Sequence, residues 1–189
     1  MGITAFSKNM IRQYGGEHQG IRHLLVGCQN MYDNEHYGQI AQDYYRGFNQ
    51  DVVSIDITAC NDSLEHDLRK PLHMASFDFI SQHGTLEHVE SREGFYLAFK
   101  HLHEVLEMDG IIIHENPKTG NWAGHGNHYL TQGFYTELAE LMDYDIVEIG
   151  EHPAMGNTTD GWNIYCVLRK RKEEFISLEE FNKLPIYDA

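Results

Sequence analysis

Cysteine is scarce in this sequence, and long apolar runs are missing. The three cysteines, Cys28, Cys60 and Cys166, are an odd number without the spacing of a metal site, so we expect reduced thiols in a cytoplasmic protein and no disulfide framework. No stretch reaches the roughly 18 consecutive apolar residues of a membrane-spanning helix, so we expect no membrane partner. The polar residues 7–13 do not form the apolar centre of a signal peptide.

Basic residues are also few. The chain has 14 Lys and Arg against 29 Asp and Glu, which gives a formal net charge of −15. A field of this sign repels phosphate backbones, so a nucleic-acid partner is disfavoured. The one basic run, residues 169–172, is interpreted as a solvated strand end. A small-molecule partner is therefore expected, and the sequence does not fix the oligomeric state.

The chain of 189 residues alternates short apolar runs with amphipathic segments, as α/β domains do. The buried strands are predicted at His23–Gly27, Asp51–Ile57, Phe77–His83 and Ile111–Glu115, with a final pair at Tyr144–Ile149 and Trp162–Leu168. The helices are predicted at Asn34–Phe48, with Asp33 or Asn34 as its cap, at Arg92–Leu106, after the cap Thr131, and at Glu173–Leu184.

The stretch from Phe77 to Val89 organises this pattern. Its apolar first half is typical of a buried strand, and Gly84 and Thr85 then break the run and can start a helix. Open α/β sheets place their ligands at such turns, where backbone N–H groups converge beyond the strand ends. His83, Glu87 and His88 are therefore expected to face a cleft.

Phe-Asp-Phe-Ile at residues 77–80, followed by Leu-Glu-His-Val at residues 86–89, resembles the fourth motif of the class I S-adenosylmethionine-dependent methyltransferases. The resemblance implies a three-layer, Rossmann-like α/β fold with a mostly parallel seven-stranded sheet and an antiparallel terminal strand. It implies a single domain, with residues 1–20 as a leader or lid, 22–172 as the core and 173–189 as a C-terminal helix. The family's first motif is degenerate in this chain, because Leu25 stands where an acid is usual and Gln29 and Met31 replace glycines.

The resemblance also implies S-adenosylmethionine as the cofactor. Asp56, at the tip of the second strand, would accept hydrogen bonds from the ribose diol. Asp67 would accept from the adenine amino group, and Leu68 would pack on the ring. The full predicted cofactor site is Gly27, Cys28, Gln29, Asp56, Ile57, Asp67, Leu68, His83, Gly84 and His88.

Methyl transfer is an in-line displacement, so the protein has to position an acceptor and remove one proton. An imidazole suits this task, and His83, His114 and His125 come from predicted strand ends or loops at one edge of the sheet. Glu115 is the carboxylate candidate. The resemblance points to small enzymes that methylate O or N of small molecules such as sugars or nucleotide sugars.

Two alternatives remain open from the sequence. One is a metal-dependent enzyme that uses His114, His125 and His128, and the other is a non-catalytic protein that binds a nucleotide or a partner. Because no complete ligand set is visible at metal-type spacing, we expect no metal and no loss of activity with chelators. The glycine-rich loop 118–129 is predicted to be a lid whose Trp122 covers the cleft.

Overall fold

A seven-stranded sheet forms the centre of the computed structural model, which describes residues 2–15, 17–154 and 161–188. The strands of the described chain are β1 (Gly2–Ile3), β2 (Arg22–Val26), β3 (Asn30–Met31), β4 (Asp51–Asp56), β5 (Leu64–Glu65), β6 (Phe77–His83), β7 (Leu106–Pro117), β8 (His128–Tyr129), β9 (Asp145–Pro153), β10 (Trp162–Arg169) and β11 (Tyr187–Asp188). The helices are α1 (Ala5–Tyr14), α2 (Ala41–Arg46), α3 (Arg92–Glu104), α4 (Gln132–Met142) and α5 (Leu178–Phe181), with a 3₁₀ turn at Leu86–His88.

The strand order of the central sheet is β5-β4-β2-β6-β7-β10-β9. Every neighbouring pair is parallel except those of β10, which runs antiparallel to both β7 and β9. This is the predicted sheet, seven-stranded and mostly parallel with one antiparallel strand near the end of the chain. The α/β prediction from the resemblance is confirmed.

Apolar side chains cover both faces of the sheet, since successive residues of a strand point to opposite sides. Leu24 of β2 belongs to the core formed with α3, α4 and α5, whereas its neighbour Leu25 belongs to the core formed with α1 and α2. Full burial of each large apolar side chain contributes about 1.5–3 kcal/mol. The two cores give the three layers that the resemblance implied.

Two predicted helices are shorter than expected. The helix predicted at Asn34–Phe48 is reduced to α2, because Oδ1 of Asp33 accepts hydrogen bonds from the N–H groups of Glu35 (3.0 Å) and His36 (3.2 Å) and holds a turn there. The helix predicted at Glu173–Leu184 is reduced to α5, which starts at a capping box formed by Ser177 and Glu180.

The basic run 169–172 is only in part the solvated strand end that the sequence predicted, since Arg171 and Lys172 are exposed after the end of β10. Lys170 is buried, and its Nζ donates hydrogen bonds to the carbonyls of His103 (3.0 Å) and Leu106 (2.7 Å). Arg171 pairs with Asp145 and Asp109. Lys170 therefore fastens the end of α3 to the end of β10, and the charge of Arg171 is balanced by two aspartates.

The buried imidazole of His114 makes the stability of the fold depend on pH. Burial lowers the pKa of His114 to about 3, whereas the unfolded chain takes up this proton near pH 6.5. A depressed histidine pKa costs stability as pH falls below the unfolded value, because only the unfolded state then binds the proton. His114→Phe should therefore lose about 2 kcal/mol less unfolding free energy than the wild type between pH 7 and pH 5. Urea denaturation at both pH values measures this, and equal losses for the two proteins would contradict it.

Candidate functional site

Two adjoining cavities lie beyond the carboxyl ends of the central parallel strands. The first has a volume of about 410 Å³ and is bordered by the ends of β4 and β6 and by the loop that follows β2. The second has a volume of about 310 Å³ and is bordered by β6, β7, β10 and the N-terminal segment. Gly84 lines both cavities, so they meet at the turn after β6.

The first cavity collects the predicted cofactor residues. All the predicted cofactor residues except His83 lie in the wall of the first cavity, and His83 lines the second cavity instead. His66 and Arg69, which flank Asp67 and Leu68, also line the first cavity, but they were not predicted as cofactor residues. They follow β5 in an irregular loop whose path the sequence pattern does not define. The predicted residues in the wall are Gly27, Cys28, Gln29, Asp56, Ile57, Asp67, Leu68, Gly84 and His88.

The loop after β2 is shaped for close approach. Gly27 has a φ of 93°, and a Cβ at this position would lie 2.5 Å from Oγ1 of Thr85. Gln29, which stands in place of a glycine, is buried, and its Nε2 donates to the carbonyl of His83 at 3.1 Å. Its amide thus joins the end of β2 to the end of β6. The degenerate motif still forms a tight turn under the cavity.

Asp56 ends β4 at the wall of the first cavity. Its Oδ2 accepts a hydrogen bond from the N–H of Cys28 at 2.7 Å, and its Oδ1 accepts from the N–H of Thr58 at 3.0 Å. A carboxylate oxygen can accept more than one hydrogen bond. Asp56 is therefore held in place by the backbone and keeps capacity for a diol.

The adenine-side residues form a mixed wall. Asp67 lines the cavity, but both of its oxygens already accept from the side chain of Arg69, at 2.9 and 3.1 Å from Nε. These hydrogen bonds lower the pKa of Asp67, so the carboxylate is ionised. Ile57 is 66% exposed at the cavity, and with Leu68 it offers an apolar surface of the kind that a heterocyclic ring covers.

Cys28 and Cys60 form a disulfide in the structure, which corrects the prediction of three free thiols. The two residues follow β2 and β4, which are neighbouring parallel strands, so the loops after them meet. Only Cys166 is free among the described cysteines, and it is buried. The cysteine count thus no longer argues for a reducing compartment, and a cytoplasmic location stays a prediction.

Glu115 is the centre of a buried polar cluster in the wall of the second cavity. Its Oε2 lies 2.7 Å from Nδ1 of His83 and accepts a hydrogen bond from the hydroxyl of Ser7 at 2.7 Å. Its Oε1 accepts from Nε2 of His152 and Nδ2 of Asn163, both at 2.9 Å. Burial alone would raise the pKa of Glu115, but the hydrogen bonds from His152 and His83 hold it well below its usual range. The carboxylate is therefore a buried anion.

The hydrogen bonds around Glu115 orient both histidines. The two nitrogens of His152 face the carboxylate of Glu115 and the carbonyl of Pro153 at 3.0 Å. Nδ1 of His83 faces Glu115, and Nε2 of His83 is buried and, within the described part of the chain, has no hydrogen-bond partner.

The other predicted histidines lie elsewhere. His114 points to the opposite face of the sheet from Glu115 and stacks on Phe99, with ring centroids 4.8 Å apart. It lines neither cavity, so its predicted catalytic role is not supported. His128 is buried beside Phe95 and lies 2.8 Å from Asp188. His125 lies on the loop 118–129, next to His88.

The alternative metal set is therefore not assembled. In residues 2–15, 17–154 and 161–188, no group with the spacing of metal ligands contains His114 or His128. These side chains are separated because His114 is enclosed between α3 and α4, while β8 pairs His128 with the C-terminal strand β11. The closeness of His125 and His128 in sequence therefore does not bring their side chains together with His114 at one metal site.

Sequence reasoning missed three residues that contact Glu115. Ser7 lies on the leader helix α1, and His152 and Asn163 lie on β9 and β10. Phe6 of α1 stacks on His152, with ring centroids 3.8 Å apart. The segment predicted as a leader or lid thus forms part of the second cavity, which the amphipathic pattern of residues 5–14 did not show.

Comparison with solved structures identifies the fold. The 1,6-didemethyltoxoflavin N1-methyltransferase of Burkholderia thailandensis, crystallised with S-adenosylhomocysteine, superposes with a TM-score of 0.65 over 86% of this chain and 75% of that one, at 14% identity. The N-methyltransferase NodS of Bradyrhizobium japonicum in complex with S-adenosylhomocysteine gives 0.61 over 89% of each chain, at 13% identity. The [4+2]-cyclase SpnF also gives 0.61, over 88% of this chain and 81% of that one, at 15% identity.

The chain thus has the fold of class I S-adenosylmethionine-dependent methyltransferases, as the resemblance implied. No protein-family model matches the sequence, and no curated protein matches it. Since SpnF shares the fold and is a cyclase, the fold alone does not determine the reaction. Among the described helices, none has the length and apolar character to cross a bilayer.

Proposed function

We propose that this protein is an S-adenosylmethionine-dependent methyltransferase that acts on O or N of a small molecule. The observation that carries the proposal is the pair of adjoining cavities, one lined by Gly27, Asp56 and Leu68 and the other by His83, whose Nδ1 lies 2.7 Å from the buried carboxylate of Glu115. Two neighbours in fold are N-methyltransferases crystallised with S-adenosylhomocysteine.

The first cavity fits the cofactor. Gly27 leaves room where a side chain would fill the turn, Asp56 presents acceptors for a ribose diol, and Ile57 and Leu68 offer apolar cover for a ring. The turn at Gly84 places the end of the first cavity against the second. When bound, S-adenosylmethionine supplies an electrophilic methyl group on a sulfonium.

The second cavity fits the acceptor. Its wall combines the aromatic rings of Tyr32 and Trp122 with the polar side chains of Thr4 and Asn163, and such a mixture of apolar area and a few polar groups is typical of small-molecule sites. We propose a sugar or nucleotide sugar as the acceptor class, because hydroxyl groups can use these polar side chains while a ring face lies on the aromatic ones.

The chemistry that the chain itself supplies is positioning and proton removal. Bound S-adenosylmethionine would supply the methyl group and keep the bonding electrons as the sulfide, and Nε2 of His83 would take the proton that the acceptor oxygen or nitrogen loses. Glu115 keeps the proton on Nδ1 and stabilises the imidazolium that forms. Helix α1, through Ser7, covers this pair and limits access of water.

Calorimetry with S-adenosylmethionine and S-adenosylhomocysteine tests the cofactor part of the proposal. A methyl-labelled cofactor incubated with monosaccharides, nucleotide sugars, amines and phenols then tests the acceptor part. We expect both cofactor forms to bind and the label to enter a sugar hydroxyl. Absence of cofactor binding would overturn the methyltransferase proposal, and binding without transfer to any of these classes would favour the non-catalytic alternative.

Trp122 is the residue of loop 118–129 that we propose as a lid over the acceptor. It lines the second cavity, and its Nε1 donates to the carbonyl of Trp162 at 3.1 Å. Trp122→Ala should lower turnover by about tenfold or more, since an open cavity admits water and leaves the acceptor loosely aligned. Cofactor affinity and melting temperature should stay nearly unchanged, because the side chain is only half-buried.

Trp122→Phe is the matched control, since it keeps an aromatic face and loses only the indole hydrogen bond. It should retain most of the turnover of the wild type. A drop of several degrees in the melting temperature of Trp122→Ala would instead show that the loop is structural, as loss of a buried aromatic at about 3–5 kcal/mol requires.

A further inference from the structure

Three side chains that take no part in the proposed proton transfer converge beside the first cavity. They are Glu87 and His88, on the 3₁₀ turn after β6, and His125, on the loop 118–129. One ligand atom from each lies within 4.8 Å of the others. From the sequence, Glu87 and His88 were expected to face a cleft, but they were not combined with His125, which is distant from them in the chain.

Glu87 is fully buried and has one satisfied and one unsatisfied oxygen. Its Oε2 accepts a hydrogen bond from Nδ2 of Asn116 at 3.1 Å. Within the described residues, nothing hydrogen-bonds to its Oε1. A buried acceptor without a partner costs free energy, so a ligand for Oε1 is expected.

The two imidazoles approach the unsatisfied oxygen without bonding to it. Nε2 of His88 lies 3.7 Å and Nε2 of His125 lies 3.8 Å from Oε1 of Glu87. These distances are too long for hydrogen bonds. They are close to the separation of about 3.4 Å between neighbouring ligands of a tetrahedral ion bound at about 2.1 Å. The two Nε2 atoms and Oε1 of Glu87 therefore have spacings close to those of ligands that share one ion.

The surrounding structure holds the carboxylate and the loop in this arrangement. Oδ1 of Asn116 accepts from Nε2 of Gln82 at 2.7 Å and from the hydroxyl of Tyr135 at 2.9 Å, so the amide that orients Glu87 is itself fixed. A Cβ at Gly126 would lie 2.8 Å from Cγ of Glu87. The glycine thus lets the loop carrying His125 dock directly on Glu87. Such supporting contacts are characteristic of metal sites.

We propose that Glu87, His88 and His125 form a binding site for a divalent transition-metal ion. Two imidazoles and one carboxylate are the ligand set of ions such as Zn²⁺ and Mn²⁺, and three protein ligands leave positions for water or for oxygen atoms of a ligand. His88 also lines the first cavity, so these positions lie next to the proposed cofactor site. This proposal is independent of the methyltransferase activity, and it differs from the sequence-based expectation of no metal.

A second group with ligand spacing, Asp33, Glu35 and His36, is a weaker candidate. Nζ of Lys8 lies 3.2 Å from Oδ1 of Asp33 and 3.5 Å from the carboxylate of Glu35. A lysine cation already satisfies these carboxylates and repels a metal ion. His36 therefore serves as the control position.

Titration of the chelator-treated protein with Zn²⁺ and with Mn²⁺ tests the site, by calorimetry and by the electron paramagnetic resonance of bound Mn²⁺, without cofactor. The wild type should bind one ion, and His125→Ala and His88→Ala should each weaken binding by at least about tenfold. Because both rings are partly exposed, their loss should leave the melting temperature of the metal-free protein unchanged. His36→Ala should bind the ion like the wild type.

Two results would overturn the proposal. One is a wild type that binds neither ion more tightly than the double variant His88→Ala/His125→Ala. The other is loss of binding in His36→Ala with retention in His125→Ala. Since binding of S-adenosylmethionine is measured separately on the metal-free protein, either result leaves the proposed methyltransferase function standing.

Discussion

Replacing His83 with asparagine is expected to reduce methyl transfer by about 10²- to 10⁴-fold, the usual contribution of a positioned general base. Asparagine keeps an N–H group that can donate to Glu115 in place of Nδ1, and it removes only the nitrogen that would take the acceptor proton. Affinity for S-adenosylmethionine should not change, because His83 lines the acceptor cavity and not the cofactor cavity. Initial rates with labelled cofactor and calorimetry of cofactor binding measure the two quantities.

Glu115→Gln should have a similar effect on turnover for a different reason. A neutral amide has only one oxygen acceptor, so it no longer accepts hydrogen bonds from both His83 and His152 and no longer fixes the orientation of His83. Because the carboxylate is buried with four hydrogen-bond donors around it, this variant should also be less stable. The His83 variant is therefore the cleaner test of chemistry.

His114→Phe is the matched control for the loss of an imidazole. His114 is the neighbour of Glu115 on β7, but it faces the α3 core. The His114→Phe variant should retain the turnover of the wild type at pH 7. If His83→Asn keeps full activity, His83 is not the base. If His114→Phe loses activity as severely while still folded, the distinction between the two faces of β7 is wrong.

The fold was predictable because its signals are local. Apolar runs ending in Gly27, Asp56 and His83 marked the central strands, and residues at or just after the ends of these strands line the two cavities. Parallel strands bring their carboxyl ends together whatever the intervening loops do. Residues directly after such strands are therefore the ones that sequence reasoning places most securely.

The polar clusters were less predictable because they depend on side-chain direction and on distant segments. His114 and Glu115 are adjacent in sequence and point to opposite faces, and period-two alternation alone does not tell which of them faces a cavity. Ser7 and His152 reach Glu115 from elements far apart in the chain. The pairing of Cys28 with Cys60 likewise follows from the adjacency of β2 and β4, which cysteine spacing does not encode.

Asp56→Ala is expected to weaken S-adenosylmethionine binding by about 1–3 kcal/mol, the range for lost hydrogen bonds to a charged group. The carboxylate stands at the tip of β4 in the wall of the first cavity, with the N–H groups of Cys28 and Thr58 fixing its orientation. Alanine removes the acceptors for the ribose diol and also releases these two N–H groups. The loss should appear in the dissociation constants of both S-adenosylmethionine and S-adenosylhomocysteine, because both carry the same ribose.

Asp51→Ala separates this role from a general effect of charge or of strand stability. Asp51 begins the same strand at its opposite end and pairs with Arg22 at 3.0 Å on the surface, an interaction worth at most about 1 kcal/mol. The Asp51→Ala variant loses the same charge from β4 at a position outside the cavity, so it should bind the cofactor with the affinity of the wild type. An Asp56→Ala protein that melts like the wild type and binds the cofactor with unchanged affinity would show that the ribose is held elsewhere. An equal loss in Asp51→Ala would assign the effect to the strand and not to the carboxylate at its tip.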